Sequence, residues 1–314
     1  MEEVPAEQEN GPTLPESARR LPRLPRHFLT GSELSEDELS ALLDRALALK
    51  AEPHASRALA GRSVALLFEH PSTRTRTSFE VGIVELGGHP MVVRPGELQL
   101  ARGESVRDTA MVLSRHVAAI GLRTGSEATL AELAEHAEVP VVNMLSPAHH
   151  PCQALADVLT LREAFGGLRG RRLAYVGDGN NVARSLAVVG GIAGMEVIVA
   201  APGGFQLGDG DGARLTDDPV AAATGADALY TDVWVSMSDD AAHAGARRRA
   251  LAPYRIDDAL LDRAAPGAFA LHCLPAHPGE EITAEVLYGP RQRIWDQAEN
   301  RRHAQKALLE WLVA

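Results

Sequence analysis

Cysteine is scarce in this 314-residue sequence, and its scarcity excludes several classes of protein. The two cysteines, Cys152 and Cys273, lie far apart, and neither belongs to a Cys-x-x-Cys pair. We therefore expect no disulfide framework and no cysteine-rich zinc site, and a reducing cytoplasm is the expected location. The histidines show no ligand-like spacing with carboxylates or thiols, so the sequence predicts neither a metal site nor another cofactor.

The sequence also lacks an excess of positive charge. Lys and Arg number 31 against 42 Asp and Glu, which gives a formal net charge of −11. We expect no nucleic-acid partner and no membrane partner, because surfaces for both are basic. No apolar run approaches the roughly 18 residues of a transmembrane helix, and the N-terminus does not resemble a secretory signal. A local group of arginines can nevertheless bind a small anion through direct hydrogen bonds.

Aromatic residues make up only 4% of the chain, so the cores must consist mainly of aliphatic side chains. The length suits two domains of about 150 residues each. Residues 1–25 are rich in proline and charge without apolar periodicity, which predicts a flexible extension. Beyond them, short apolar strands alternate with helical stretches, which is typical of an α/β fold with parallel sheets covered by helices on both faces. The predicted strands are 64–68, 91–93, 118–122, 139–144, 173–176, 197–200, 228–230 and 268–271, the predicted helices are 76–87, 104–116, 126–137, 152–165, 181–193 and 296–313, and 202–218 is predicted to be a loop.

The segment Ser72-Thr73-Arg74-Thr75-Arg76 follows the first strand of this pattern and opens a helix. Backbone N–H groups at a helix start are unpaired and carry the positive end of the helix dipole, so an oxyanion fits there. Arg74 can add a bidentate hydrogen bond to a phosphate. The alternative is a helix cap with two solvated arginines. The position after a strand and the presence of the arginines favour a phosphate site.

A second strand-to-helix junction reads Val176-Gly177-Asp178-Gly179-Asn180-Asn181-Val182. A dinucleotide site is the obvious alternative here, but Val182 replaces the third glycine of that motif and no acidic residue follows the next strand. A nicotinamide oxidoreductase domain is therefore disfavoured. Two asparagines at a helix start suit a polar zwitterion better.

Four separated segments resemble one family when they are taken together. They are Ser72 to Arg76, His149-His150-Pro151-Cys152-Gln153, Asp232-Val233-Trp234-Val235-Ser236-Met237 and His272-Cys273-Leu274-Pro275. In this order they resemble the carbamoyltransferases, and Asp-x-Trp-x-Ser-Met is the mark of the ornithine carbamoyltransferases among them. The resemblance runs from about His27 to the end of the chain.

The resemblance implies an enzyme that transfers the carbamoyl group of carbamoyl phosphate to the side-chain amine of L-ornithine, in arginine biosynthesis. It implies two domains linked by helices, with the active site in the cleft between them. Residues 26–150 would bind carbamoyl phosphate, 151–295 would bind ornithine, and the helix 296–314 would pack back on the first domain. It also implies a homotrimer with active sites at subunit interfaces.

Site residues follow from the resemblance position by position. Those implied for catalysis are Arg74, Arg123, His150, Gln153 and Cys273. Those implied for carbamoyl phosphate are Ser72, Thr73, Arg74, Thr75, Gln99, Arg123, His150, Pro151, Cys152, Gln153, Cys273, Leu274 and Arg301, with Gln99 reaching into a neighbouring subunit's site. Those implied for ornithine are Asn181, Asp232, Ser236 and Met237.

Some positions depart from the family pattern, and some alternatives remain open. His70 stands where lysine is common, Ser238 where glycine is usual and Pro278 where arginine is frequent, and Arg184 replaces a residue that is usually less charged. Putrescine, aspartate or an N-acylated ornithine could replace ornithine as the acceptor, although Asp232 favours an acceptor with an α-ammonium group. A non-catalytic partner subunit is a further alternative.

Overall fold

The computed structural model describes residues 25–99, 103–208, 212–235 and 242–314. The predicted extension therefore lies almost wholly outside the described residues. Two parallel sheets organise the chain, which confirms the predicted α/β class. The first has the order β2-β1-β3-β4 and the second the order β7-β6-β5-β8-β9. The strands are β1 Ser63–Phe68, β2 His89–Val93, β3 Ala119–Arg123, β4 Val141–Leu145, β5 Arg172–Val176, β6 Glu196–Ala200, β7 Arg214–Thr216, β8 Ala228–Thr231 and β9 Phe269–His272.

Helices connect these strands. They are α1 Glu36–Ala51, α2 Thr73–Glu85, α3 Val106–Ser114, α4 Glu127–His136, α5 Pro151–Phe165, α6 Asn181–Ile192, α7 Pro219–Ala223, α8 Ala244–Leu251, α9 Asp258–Leu261, α10 Ala284–Tyr288 and α11 Ile294–Val313. Within the part of the chain that the structure describes, none is both long and apolar enough to cross a membrane.

Both faces of each sheet are buried. In β1, Leu66 and Phe68 belong to one apolar core and Ala65 and Leu67 to another, as the alternation of side chains along a strand requires. In β5, Leu173 and Tyr175 face the core that the two sheets share, whereas Ala174 and Val176 face a third core. Burial on both faces explains why the strands appear in the sequence as continuous apolar runs.

Two long helices, α5 and α11, join the two halves. The α11 helix packs against α5, α1 and α2. The fully buried side chain of Lys306 on α11 fixes this packing, because its Nζ donates to the carbonyls of Leu49 and Pro53 and pairs with Glu85. Side chains from the end of the chain are thereby held beside the carboxyl ends of the first sheet's strands.

Most element boundaries agree with the sequence pattern, and the differences have local causes. The helix predicted from 76 begins at Thr73, because Ser72 caps it with its hydroxyl. It ends before Gly87, which adopts a φ of +79°. The prediction of a loop across 202–218 was wrong at β7, a three-residue edge strand without an apolar run.

Candidate active site

The first part of the site lies where β1 meets α2. Ser72 is the N-cap of α2, and its Oγ accepts a hydrogen bond of 3.3 Å from the Thr75 amide. Thr73 and Arg74 occupy the first turn, which contains no acidic residue. Arg76 turns along the helix and pairs with Glu80 at 3.1 Å. Because Glu80 already engages Arg76, this side chain is not available to an oxyanion. The free amides of the first turn are available to one.

Three guanidinium groups, from Arg74, Arg123 and Arg301, converge on this junction. Burial, followed by the charges of Arg301 and Arg74, lowers the pKa of Arg123 to about 10. Burial is also the largest cause of the lowered pKa of Arg301, which is only 3% exposed. Among the described residues, the Nε atoms of Arg123 and Arg301 are buried without a hydrogen-bond partner. Mutually repelling cations with unused donors form a site that a bound anion would stabilise.

Arg301 connects this cationic group to two other predicted site residues. Its Nη2 donates to Thr75 Oγ1 at 2.7 Å, and its Nη1 donates to Gln153 Oε1 at 2.8 Å. The opposite end of the Gln153 amide is also engaged, since Nε2 donates to Asp157 Oδ1 at 2.8 Å. The helices α2, α5 and α11 are thus joined at the floor of the cleft.

His150 is the N-cap residue of α5, and its side chain is buried beside the arginines. Burial and then the charges of Arg301, Arg123 and Arg74 hold its pKa well below the usual value. The imidazole is therefore neutral at physiological pH and carries one N–H donor. Its backbone amide donates to Ser185 Oγ at 2.7 Å, and no described group bonds to its Nδ1. A neutral imidazole can donate one N–H hydrogen bond to a ligand. Because it carries no charge, it does not compete with the three arginines for a bound anion.

The neighbouring predicted residues Pro151 and Cys152 are buried in the first turn of α5. The thiol of Cys152 faces the core and donates to the carbonyl of Asn143 at 3.3 Å. Burial raises the pKa of this thiol to about 12, so it is inert at neutral pH. The groups that Cys152 offers to a ligand are consequently those of its backbone.

The second part of the site lies at the carboxyl ends of β8 and β9. Asp232 follows β8 and is 7% exposed. Its Oδ1 accepts from Cys273 Sγ at 2.9 Å, and its Oδ2 accepts from Asn180 Nδ2 at 2.8 Å. Burial and then the charge and hydrogen bond of Asp232 raise the pKa of Cys273 well above its ordinary value. Cys273 is therefore a thiol and not a thiolate nucleophile.

Asn181 and Leu274 border the same region. Asn181 is the first residue of α6, and its Nδ2 donates to the carbonyl of Ser146 at 2.8 Å. Leu274 adopts a positive φ of 62°, and its amide donates to His272 Nδ1 at 2.8 Å. The Nε2 of His272 lies 3.1 Å from Glu281 Oε1. These bonds fix the turn that presents Cys273.

Among the described residues, one predicted site residue is not brought to this cleft. Gln99 is exposed, and among the described residues no hydrogen bond joins its side chain to any group of its own chain's cleft. Ser236 and Met237 lie outside the described residues, as does Ser238.

Two residues that the sequence pattern left unassigned contribute to the site. Asn180, rather than Asn181, contacts Asp232, and it also caps α6 by accepting from the amide of Val182 at 2.9 Å. Asp157 lies one helical turn after Gln153 and is fully buried. An acidic residue inside the apolar run of α5, four residues after an assigned glutamine, is a signal that could have identified it.

Two groups of side chains among the described residues have potential metal-ligating atoms within 4.8 Å of one another. They are Asp232, His272 and Cys273, and His277, Glu280 and Glu281. Hydrogen bonds inside the protein already engage Asp232, Cys273 and His272, and Glu280 pairs with Arg248. We assign neither group a metal.

Comparisons with known proteins agree with this geometry. The family model described as aspartate/ornithine carbamoyltransferase, carbamoyl-P binding domain, matches residues 26–163, and the one described as its Asp/Orn binding domain matches 169–312. An ornithine carbamoyltransferase of Acidothermus cellulolyticus is 57% identical over 302 residues, covering 92% of this chain and 96% of the relative. The solved ornithine carbamoyltransferase of Thermus thermophilus has a TM-score of 0.86 at 47% identity, covering 93% of this chain and 100% of that structure. That of Pyrococcus furiosus has a TM-score of 0.85 at 43% identity, covering 90% and 96%.

Proposed function

The chain belongs to the aspartate/ornithine carbamoyltransferase family, and on that premise we propose how its cleft works. It transfers the carbamoyl group of carbamoyl phosphate to the side-chain amine of L-ornithine, giving L-citrulline and phosphate. The observation that carries the proposal is the pairing of a three-arginine pocket with a buried carboxylate across one cleft. The pocket suits the phosphate group of the carbamoyl donor, and the carboxylate suits the ammonium group of an amino acid.

Residues 26–150 form the carbamoyl phosphate domain in this proposal. The phosphate lies on the free amides of Thr73 and Arg74 and on the hydroxyls of Ser72, Thr73 and Thr75, at the start of α2. Arg74 and Arg123 donate to its oxygens, and the unpartnered Nε of Arg123 supports that role. The positive charge also stabilises phosphate as it leaves.

The carbamoyl group lies between the phosphate and α5. His150, as a neutral donor, points its N–H at the carbamoyl oxygen, and Thr75 and Arg123 add further donors. Gln153 Oε1 accepts from the carbamoyl NH2, while Arg301 holds Gln153 and Thr75 in place. Loss of one donor to a developing oxyanion costs about 3–4 kcal/mol of transition-state stabilisation. Leu274 and the first-turn backbone of Pro151 and Cys152 close the pocket.

Residues 151–295 form the ornithine domain. Asp232 keeps lone pairs free beside the bonds from Cys273 and Asn180, and it accepts from the α-ammonium group of ornithine. Asn181 donates to the α-carboxylate. Ser236 and Met237 complete the contacts with the acceptor, and the Cys273 thiol packs beside the attacking amine. The closing helix 296–314 returns Arg301 to the first domain.

The reaction then needs no metal and no protein base. The neutral side-chain amine of ornithine attacks the carbamoyl carbon, and a C–N bond forms while negative charge develops on the carbamoyl oxygen. The C–O bond to phosphate breaks, and the electron pair leaves with phosphate. Phosphate takes the proton that the new amide nitrogen loses. Holding both substrates in line supplies much of the remaining acceleration.

The resemblance implies a homotrimer, and the position of Gln99 supports that proposal. Gln99 is exposed after β2 and is not bonded to the described groups of its own cleft, so the role in carbamoyl phosphate binding that we propose for it would lie in the cleft of another subunit. Exposed apolar side chains support such an interface. Val81 and Val84 on α2 are 37% and 59% exposed, and Met111 and Val112 on α3 are 40% and 54% exposed. Burial of these side chains between subunits would remove that apolar surface from water.

We propose ornithine, rather than putrescine, aspartate or an N-acylated ornithine, as the acceptor of the carbamoyl group. We place the reaction in arginine biosynthesis, the usual role of ornithine carbamoylation. The test is incubation of the purified protein with carbamoyl phosphate and, in turn, ornithine, putrescine, N-acetylornithine and aspartate, with measurement of the ureido product. We expect kcat/KM for ornithine to exceed the others by at least about 100-fold. Carbamoylation of aspartate or acetylornithine as the preferred acceptor would refute the assignment, and no product with any acceptor would support a non-catalytic subunit.

A further inference from the structure

Asp157 is a buried acid that the mechanism above does not use. It lies on α5 with a relative exposure of 0%. Its Oδ1 accepts two hydrogen bonds, one from Gln153 Nε2 at 2.8 Å and one from Gln297 Nε2 at 2.7 Å. Its Oδ2 is buried without a partner among the described residues. Burial of a carboxylate in a core is energetically unfavourable, so a function of Asp157 would explain why it is there.

The first bond fixes the direction of the Gln153 amide. Asp157, when ionised, can only accept hydrogen bonds, and Arg301 can only donate them. The two neighbours are therefore compatible with only one of the two orientations of the Gln153 amide. In that orientation Nε2 points to Asp157 and Oε1 points to Arg301. A reversed amide would place its NH2 against the guanidinium and its oxygen against the carboxylate. The Gln153 oxygen thus keeps a lone pair for a donor in the cleft.

The second bond reaches the acceptor side of the cleft. Gln297 Oε1 accepts from the amide of His272 at 3.0 Å, and its Nε2 also donates to Tyr230 at 3.1 Å. His272 directly precedes Cys273. One carboxylate oxygen therefore holds both the carbamoyl ligand Gln153 and the glutamine that anchors the start of the Cys273 turn.

We infer that Asp157 is a positioning residue that makes the site selective for a carbamoyl group: it holds the Gln153 oxygen toward the cleft, where that oxygen reads the NH2 of the substrate. The inference rests on the proposed function and deepens it. Acetyl phosphate has the same shape as carbamoyl phosphate but carries a methyl group in place of the NH2, so it gains nothing from the Gln153 oxygen. Asp157 should therefore affect binding of the carbamoyl compound and leave binding of the acetyl compound unchanged.

The surroundings of Asp157 add a pH dependence. Burial raises the pKa of Asp157 to about 7. The hydrogen bonds from Gln153 and Gln297 and the charge of Arg301 on α11 oppose this rise. Among the described residues, Tyr230 on β8 and Cys273 after β9 also face Asp157, and both are neutral at this pH. As the pH falls through about 7, Asp157 gains a proton and becomes a weaker acceptor. Its hold on Gln153 is strongest above that pH and weakens below it.

Two variants and a matched control test the inference. Asp157→Leu removes both acceptor bonds, whereas Asp157→Asn keeps an acceptor oxygen but cannot ionise. Thr160→Val, on the same buried helix, loses the bond from Asn300 to Thr160 but touches neither Gln153 nor Gln297. For each, the measurements are kcat/KM for carbamoyl phosphate across the pH range, the inhibition constant of acetyl phosphate, and the thermal midpoint.

We expect Asp157→Leu to lower kcat/KM for carbamoyl phosphate about 10- to 100-fold and to change the acetyl phosphate constant by less than about threefold. Asp157→Asn should lose the acid limb near pH 7, and its kcat/KM at alkaline pH should fall toward the wild-type value below that limb, because a neutral acceptor holds Gln153 about as weakly as protonated Asp157 does. A wild-type kcat/KM in Asp157→Leu, an equal loss for both phosphates, or an equal loss in Thr160→Val would each overturn the inference. If Asp157→Leu does not fold, the Asp157→Asn profile decides, and a profile identical to wild type overturns it. A wild-type protein without citrulline formation would instead refute the proposed function.

Discussion

Replacing Asp232 by asparagine tests the acceptor half of the site. The carboxylate is 7% exposed and accepts from Cys273 Sγ at 2.9 Å and Asn180 Nδ2 at 2.8 Å. An asparagine has nearly the same shape but no charge, so the variant should fold while the α-ammonium group of ornithine loses its anionic partner. A hydrogen bond to a charged group contributes about 1.5–3 kcal/mol, which corresponds to a rise of about 10- to 150-fold in KM for ornithine.

The assay is citrulline formation with each substrate varied separately. KM for carbamoyl phosphate should change little, because that substrate lies on the other side of the cleft. A second acceptor sharpens the test, since 5-aminopentanoate retains the amine and carboxylate of ornithine but lacks the α-ammonium group. The preference for ornithine over 5-aminopentanoate should fall by the same factor as the affinity for ornithine.

Asp227→Asn is the matched control, because Asp227 lies just before β8, at the opposite end of the same strand, and pairs with Arg171. An unchanged preference in Asp232→Asn, or an equal change in Asp227→Asn, would refute the assignment of Asp232.

Two further predictions concern the donor half of the site and the assembly. Arg74→Ala should reduce turnover by a factor of about 100 or more while circular dichroism stays unchanged, because the side chain takes part in no described hydrogen bond or ion pair; near-normal turnover in the folded variant would exclude the role. Val84→Glu on α2 should convert the proposed trimer into monomers in sedimentation, because it places a charge among the exposed apolar side chains of α2 and α3. Activity should fall with it, because each cleft would lose the partner's Gln99. A trimeric and active Val84→Glu variant would place the interface elsewhere.

Local signals in the sequence were sufficient to predict the junction of β1 and α2, where we propose that phosphate binds. A buried strand, a serine cap and arginines in the following turn are contiguous from 64 to 76, so chain neighbours alone place them. The acid after β8 was predictable for the same reason, since the carboxyl end of a parallel strand is where ligands bind.

Residues that act through tertiary contacts were harder to predict. Arg301 reaches Thr75 across 226 positions of the chain, and only the packing of α11 on α2 and α5 brings them together; the resemblance, and not periodicity, suggested it. The role of Asp157 could be inferred only from the packing of α11, which places Gln297 beside it. Asn180 and Asn181 are adjacent at the start of α6, so the sequence does not show which of them contacts Asp232. The rotation of α6 about its axis decides that it is Asn180.

In the proposed reaction, one cleft joins a carbamoyl group to ornithine as phosphate leaves. The most direct measurement uses carbamoyl phosphate labelled with carbon-13 and follows the carbon signal by NMR while released phosphate is measured in the same sample. We expect the label to appear in the ureido carbon of citrulline, with one citrulline formed for each phosphate released above the uncatalysed rate. Both processes should stop in Arg74→Ala. Release of phosphate without labelled citrulline, or no enzyme-dependent release, would contradict it.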